Sequence, residues 1–150
     1  MKLLITLAIL TLLHSCQSKR PTNIGLTDSP EGKLLQKCPE TPNCLSSHYP
    51  ADKDHYIEPI AYKMEKLQAK KLITGILKKS PSAKIINEDD NYVYAEYTSA
   101  VFKFVDDVEF NFSQNNVIHI RSASRLGKKD FGVNSKRLEE IKFRFYQNDM

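Results

Sequence analysis

The chain alternates short apolar runs with polar breaks, and the spacing of the apolar positions changes character along it. The first run, "LLITLAILTLL" from Leu3 to Leu13, is apolar on every side and follows the single charge of Lys2. It is too short for the roughly 20 residues of a membrane-spanning helix and suits the hydrophobic segment of an export signal. Helical spacing begins at Glu65. Ala69, Leu72, Ile73, Ile76 and Leu77 recur on one side, with Lys66, Lys70, Lys71, Lys78 and Lys79 mostly on the other. This predicts an amphipathic helix over Glu65 to Lys79, ended by Ser80-Pro81, whose lysine face is a solvated outer surface.

Beyond Pro81 the period shortens to two. "KIINEDDNYVYAEYTS" reads as a hairpin turning near Glu88 to Asn91, because Asp and Asn favour turns, and Tyr92 to Thr98 is rich in strand formers. Val108 to Phe112 and Val117 to Ala123 form a second, clearer hairpin. Apolar faces must match across it, which sets Phe112 opposite Ile118 and Phe110 opposite Ile120. The loop is then Gln114-Asn115-Asn116, where Asn tolerates a left-handed backbone. In this register Glu109 faces Arg121, Asp107 reaches Arg121 diagonally, and Asp106 lies opposite Ser124 beside Arg125. "FKFVDDVEFNF", Phe102 to Phe112, admits two readings. It is one strand, or the chain turns at Val105 to Asp107 and Tyr92 to Phe104 is the preceding strand. The second is preferred, since Asp suits turns. Either way Asp106, Asp107 and Glu109 gather beside Arg121 and Arg125.

A last helix opens at Val133-Asn134, with Asn134 as N-cap, Val133 and Leu138 as a hydrophobic staple, and Leu138, Ile141 and Phe145 as its buried side. From Lys33 to Pro59 the chain is irregular and proline-rich. The whole order predicts an α+β domain: an antiparallel sheet of about four strands with two helices packed on one face, preceded by a loop-rich arm. The expected organisation is a signal peptide over residues 1–15, a flexible tether over 16–34 and a single domain over 35–150.

Composition adds an address. "LHSC", Leu13 to Cys16, resembles a bacterial lipobox. That implies cleavage before Cys16, a diacylglyceryl thioether on its sulfur, and a lipid bilayer as partner through the acylated cysteine. Gln17 after the cysteine favours the outer over the inner membrane of the cell envelope. The 22 basic and 18 acidic residues give a net charge of +4, and losing Lys2 with the leader leaves +3. So mild an excess, with no basic stripe, argues against a nucleic-acid partner. In an exported domain the remaining cysteines, Cys38 and Cys44 in "CPETPNC", read as one disulfide, with free thiols the alternative. Closing this short loop should stabilise by about 2.4 kcal/mol in the chain-entropy model. His48 and His55 stand at no recognisable ligand spacing, so neither metal nor cofactor is expected.

The segment "RSASRLGKKDFGVNSKR" supplies the rest of the polar chemistry. Gly127 and Gly132 relax the backbone between strand and helix, and Asp130 is placed to answer Arg125 or Arg137. One use is a network of ion pairs and caps tying the last strand to the last helix. Another is a polar pocket in which Arg121 and Arg125 hold an anionic ligand bidentately. Acid–base catalysis by Asp106, Asp107 or Glu109 is a third, opposed by the nearby arginines. No Ser-His-Asp order or glycine-rich phosphate loop is present, so no residue is assigned as catalytic.

"CPETPNCLSS", "DHYIEP", "FVDDVEF" and "IRSASRLGKKDFGVNSKRLEEI" together resemble the bacterial and plastid family known as domain of unknown function 1499, over about residues 35 to 145. The resemblance implies an architecture and no activity. It implies that Cys38, Pro39, Asn43, Cys44, Ser46, Ser47, Asp106, Asp107, Glu109, Arg121, Ser122, Ser124, Arg125, Gly127, Asp130, Gly132, Asn134 and Arg137 match motif positions. Ser135 departs from the pattern, standing where many relatives carry arginine. The expected binding residues are Asp106, Asp107, Glu109, Arg121, Ser122, Ser124, Arg125, Asp130, Asn134 and Arg137. Their expected partner is a small anion, a glycan fragment or an envelope protein. The sequence thus points to a membrane-anchored envelope lipoprotein acting by binding, with a carboxylate-dependent hydrolase of envelope polymers and a structural lipoprotein as alternatives.

Overall fold

The computed structural model describes residues 19–148, so the signal segment and Cys16 lie outside the described residues. In chain order the elements are β1 (Leu26–Ser29), β2 (Gly32–Leu35), β3 (Cys44–Ser46), β4 (Ile60–Ala61), α1 (Lys66–Lys78), β5 (Ala83–Glu88), β6 (Tyr92–Thr98), β7 (Val105–Asn111), β8 (Val117–Ser124) and α2 (Val133–Asn148). Six strands form one antiparallel sheet in the order β3-β8-β7-β6-β5, and β4 pairs with the start of β8 on the same edge as β3. β1 and β2 form a separate two-stranded hairpin.

The architecture expected from the sequence is therefore corrected. There are eight strands among the described residues, and the large sheet is covered on both faces. β1 to β4 are two to four residues long and arise in a segment whose prolines and polar residues carry no alternating pattern. β3 and β4 are strands because the distant β8 offers them a partner, and β1 and β2 because they pair with each other over the sheet, contexts that outweigh local propensity. This hairpin runs from Leu26 to Leu35, so all but its last residue falls in the stretch 16–34 expected to be a tether.

β7 and β8 pair with Glu109 opposite Arg121, Phe110 opposite Ile120 and Asp106 opposite Ser124, the register that the apolar faces demand. Asn116 takes the left-handed conformation at the end of the connecting loop, φ 62°. Alternation then builds two different faces. Val93, Ala95, Val108, Phe110, Ile118 and Ile120 point toward α1 and α2. There they meet Ala69, Ile73 and Leu77 of α1 and Leu138, Ile141 and Phe145 of α2 in the main core. Tyr92 and Tyr94 point the other way, into a small cluster with Leu35, flanked by Ile24, Leu26 and Ile86.

Both readings of Phe102 to Phe112 are overturned. The turn lies at Ser99 to Phe104, closed by Ser99 N–H donating to the Phe104 carbonyl at 2.8 Å. Asp106 and Asp107 are inside β7, while Phe102 and Phe104 are outside it and exposed. The turn preference of Asp loses because Tyr94 and Arg125 await Asp107 and Arg137 awaits Asp106. The start of α2 also differs. Asp130 accepts from the backbone N–H of Gly132 at 3.1 Å and of Asn134 at 2.8 Å, and so caps the first turn. Asn134 is a buried helical residue, and Val133 is exposed while Leu138 lies in the core, so the expected cap and staple are both absent.

Candidate functional site

Because side chains alternate along β7 and β8, the expected binding residues divide between the two faces of the sheet. Asp107, Glu109, Arg121 and Arg125 lie under the N-terminal arm. Asp106, Ser122 and Ser124 lie on the helix face with Asn134 and Arg137. The single gathering of three acids and two guanidinium groups is corrected to this extent: Asp106 belongs to the other side.

On the arm face each carboxylate is shared by several donors. Glu109, fully buried, accepts from Tyr92 Oη at 2.6 Å, from Gly25 N–H at 2.8 Å and from Arg121 Nη1 at 2.7 Å. Asp107 accepts from Tyr94 Oη at 2.6 Å, from Arg125 Nη2 at 2.6 Å and from Arg125 Nε at 3.0 Å. Arg125 also donates to Glu96, which takes a further bond from Arg20 at 2.9 Å. Asp107 was expected to reach Arg121; its cation is Arg125 instead.

These contacts explain the local proton affinities. Burial raises the Tyr92 and Tyr94 phenols, and the carboxylates beside them raise both further. Burial alone would raise Glu96 and lower Arg125. The bonds from Arg125, Arg20 and Tyr94 outweigh it for Glu96, whose carboxyl stays below its ordinary value. Those to Asp107 and Glu96 likewise keep Arg125 above its own.

On the helix face, Ser122 donates to Asn134 Oδ1, and Asn134 Nδ2 donates to Ser124 Oγ at 2.9 Å and to the Asn43 carbonyl at 3.0 Å. Arg137 donates to Asn134 Oδ1 and to Asp106 Oδ2, both at 2.6 Å, with its guanidinium 4.7 Å from the centre of the Tyr97 ring. Asp130 answers neither Arg125 nor Arg137; it caps α2. This second network ties strand to helix, and its polar groups are consumed in doing so.

The faces meet at one end of the sheet. The Cys38–Cys44 disulfide closes a loop whose Asn43 donates to the Gly127 carbonyl at 2.7 Å and accepts from Ser124 N–H and Asn134. Between this loop, the arm and the end of β8 lies a cleft of about 220 Å³. Its walls are Pro21, Asn23, Pro39, Thr41, Asn43, Asp107, Arg121, Ala123, Ser124, Arg125 and Gly127. Arg121 is 1% exposed and its Nε has no hydrogen-bond partner. A buried, unsatisfied donor on a charged group is costly; Nε is shut off from the cleft that other parts of Arg121 line, so an acceptor reaches it only if the wall shifts.

Sequence reasoning missed several members. Glu96, Tyr92 and Tyr94 had a usable signal: Tyr-x-Tyr-x-Glu places an acid on the same strand face as two phenols. Arg20 and Gly25 had none, because they come from the arm. A stacked pair, His48 and His119, with ring centres 3.7 Å apart, was also unforeseen. Leu35 N–H donates to His48 Nδ1 at 3.0 Å, so the proton of the neutral ring sits on Nε2, which is buried without a partner. Ser47 Oγ accepts from Ile120 N–H at 2.8 Å and lies 3.1 Å from His119 Nδ1. Among the described residues, no three His, Cys, Asp or Glu side chains gather as metal ligands would. Nor is any helix among them long and apolar enough to cross a membrane.

An antiparallel sheet held between two helices and an N-terminal hairpin, with ion-paired arginines under the hairpin, defines a small sheet-based module. The chain belongs to the family described as Protein of unknown function (DUF1499), whose model matches residues 34–145. No curated protein and no solved structure matches it.

Proposed function

We propose that this protein is a lipid-anchored module of the cell envelope that binds a small polar ligand in the cleft beside the disulfide loop. The observation carrying the binding reading is Arg121, a cleft-lining residue whose guanidinium is held by Glu109 and whose buried Nε is unsatisfied, one small wall movement from an acceptor in the cleft. The arginines here are each matched by carboxylates, so the cleft suits a ligand offering one oxygen acceptor, a carboxylate or a sugar fragment, more than a multiply charged phosphate. Pro21 and Pro39 supply apolar wall, and Thr41 and Asn43 polar wall. Anchoring is supported by the apolar run Leu3 to Leu13 and by Leu13-His14-Ser15-Cys16; Gln17 favours the outer membrane.

The hydrolase reading gains no support. Asp106, Asp107 and Glu109 each accept hydrogen bonds from an arginine, as structural pairs do. Thermal-shift screening of the chain against envelope metabolites tests the binding reading. A ligand present at about 100 times its Kd should add about 2.7 kcal/mol of stability. Asn23→Trp, at an exposed rim position, should fill the cleft and abolish the shift without unfolding the chain. A shift that persists in Asn23→Trp, or none from any ligand class, overturns the reading.

A further inference from the structure

Nine large apolar residues are exposed among those described; five of them lie on two neighbouring loops and a sixth, Val133, opens the helix that follows. The turn from β6 to β7 carries Val101, Phe102 and Phe104, with Val101 79% and Phe102 73% exposed and the two phenyl rings stacked at 5.4 Å. The segment from β8 to α2 carries Leu126 and Phe131, with Phe131 91% exposed, and Val133 begins α2. The register puts both loops at one end of the sheet. Thr98 pairs with Val105 and Asp106 with Ser124, and Arg125 N–H donates to the Val105 carbonyl at 3.2 Å. Soluble surfaces seldom expose so many large apolar groups together without a partner.

The backbone reinforces this. Lys103 and Phe131 both adopt left-handed φ, 56° and 53°. For a bulky residue such as phenylalanine that is an outlier, and Phe131 makes no burial within the chain that would offset it. Charge favours one kind of partner. Lys103, Lys128 and Lys129 are exposed on these loops, and Lys78 and Lys79 end α1 at the same end, where Ala83 pairs with Tyr97. The opposite end, at the β5–β6 turn, carries Glu88, Asp89 and Asp90. Apolar tips rimmed by lysine match the boundary of an anionic bilayer.

The chain's own path leads to the same surface. Arg20 is paired with Glu96, near the end of β6, and Pro21 lines the cleft with Gly127. Cys16 is four residues before Arg20, and so few residues reach at most about 14 Å. We infer that the sheet end bearing the 99–104 and 125–132 loops is a membrane-docking face, which seats its phenylalanines in the interface of an anionic phospholipid bilayer while the lysines meet the headgroups. Its orientation toward the bilayer rests on the anchoring reading; the apolar and cationic loops do not.

The chain contains no tryptophan, so one introduced indole reports alone. The full chain carrying Phe102→Trp, Phe131→Trp or, at the opposite end, Asn115→Trp is mixed with vesicles of phosphatidylethanolamine and phosphatidylglycerol that include a spin-labelled lipid. Quenching of the F102W and F131W indoles should exceed that of N115W by about twofold or more, since the docked tips would sit within the interface. A bilayer-bound chain with equal quenching at all three positions overturns the docking face, leaves the anchor standing and assigns the patch to a protein partner. A chain that stays with the aqueous phase overturns both.

Discussion

Glu109 and Arg121 form a pair with almost no exposure on either side, 0% and 1%. Such a pair contributes little net stability over an apolar replacement, but removing one member strands the other charge. Arg121→Met should therefore cost about 3–5 kcal/mol in urea unfolding, and adding Glu109→Gln should recover part of it, a coupling that additive, independent sites would not give. His48 makes a second residue-scale prediction. Burial, and then the adjacent His119, push its imidazole down to about 3 from 6.5. Between those values the unfolded chain binds the extra proton and the folded chain does not, so stability rises with pH in this window. The contribution is intact above pH 6.5 and is lost progressively as pH falls toward 3. The melting temperature should decline over that range. His48→Gln should flatten the decline, and an unchanged pH profile in that variant would remove His48 as its source.

At the scale of elements, two small devices hold the sheet end. The Cys38–Cys44 link ties the loop before β3 to the first residue of β3, where Cys44 pairs with Ala123 of β8. Replacing both cysteines with serine should lower unfolding stability by about 2.4 kcal/mol if the closed loop acts through chain entropy. Asp130→Ala removes the acceptor for two backbone donors, Gly132 just before α2 and Asn134 in its first turn, and should cost about 0.5–2 kcal/mol; helix content and a denaturation midpoint read this. What the sequence revealed follows the same physics. α1, β6, the β7–β8 register and the Glu109–Arg121 pairing were legible because alternation and matching apolar faces are local or nearly so. β1 to β4 were not: β3 and β4 pair with β8, far along the chain, and β1 and β2, though neighbours across a short turn, carry no alternating pattern of their own. Asp106 and Asp107 misled because a local turn preference was weighed without Arg137 and Arg125, whose positions only the folded sheet supplies.

At the scale of the molecule, the arm is the element that converts a half-covered sheet into a closed one. Its hold is polar as much as apolar: Gly25 N–H on Glu109, the Lys33 carbonyl on Asn111 Nδ2 at 2.6 Å, and Arg20 on Glu96. The family model begins at residue 34 and so leaves β1 and these three attachments outside it. A chain cut at that boundary keeps Leu35 and its bond to His48 but uncovers Tyr92, Tyr94 and the Glu109–Arg121 pair. A hydrogen bond to a carboxylate contributes about 1.5–3 kcal/mol, and the truncated chain regains the arm's conformational freedom as a partial offset. The net loss should be about 2 kcal/mol relative to a chain that retains the arm. Phenol titration gives an independent reading. With burial relieved, Tyr92 and Tyr94 should ionise closer to the ordinary tyrosine range, because desolvation is the leading cause of their upward displacement. Equal stability and an unaltered alkaline titration in the two chains would mean that the polar face is closed without the arm. The carboxylates of β7 would then need another reason for their place in an otherwise apolar strand.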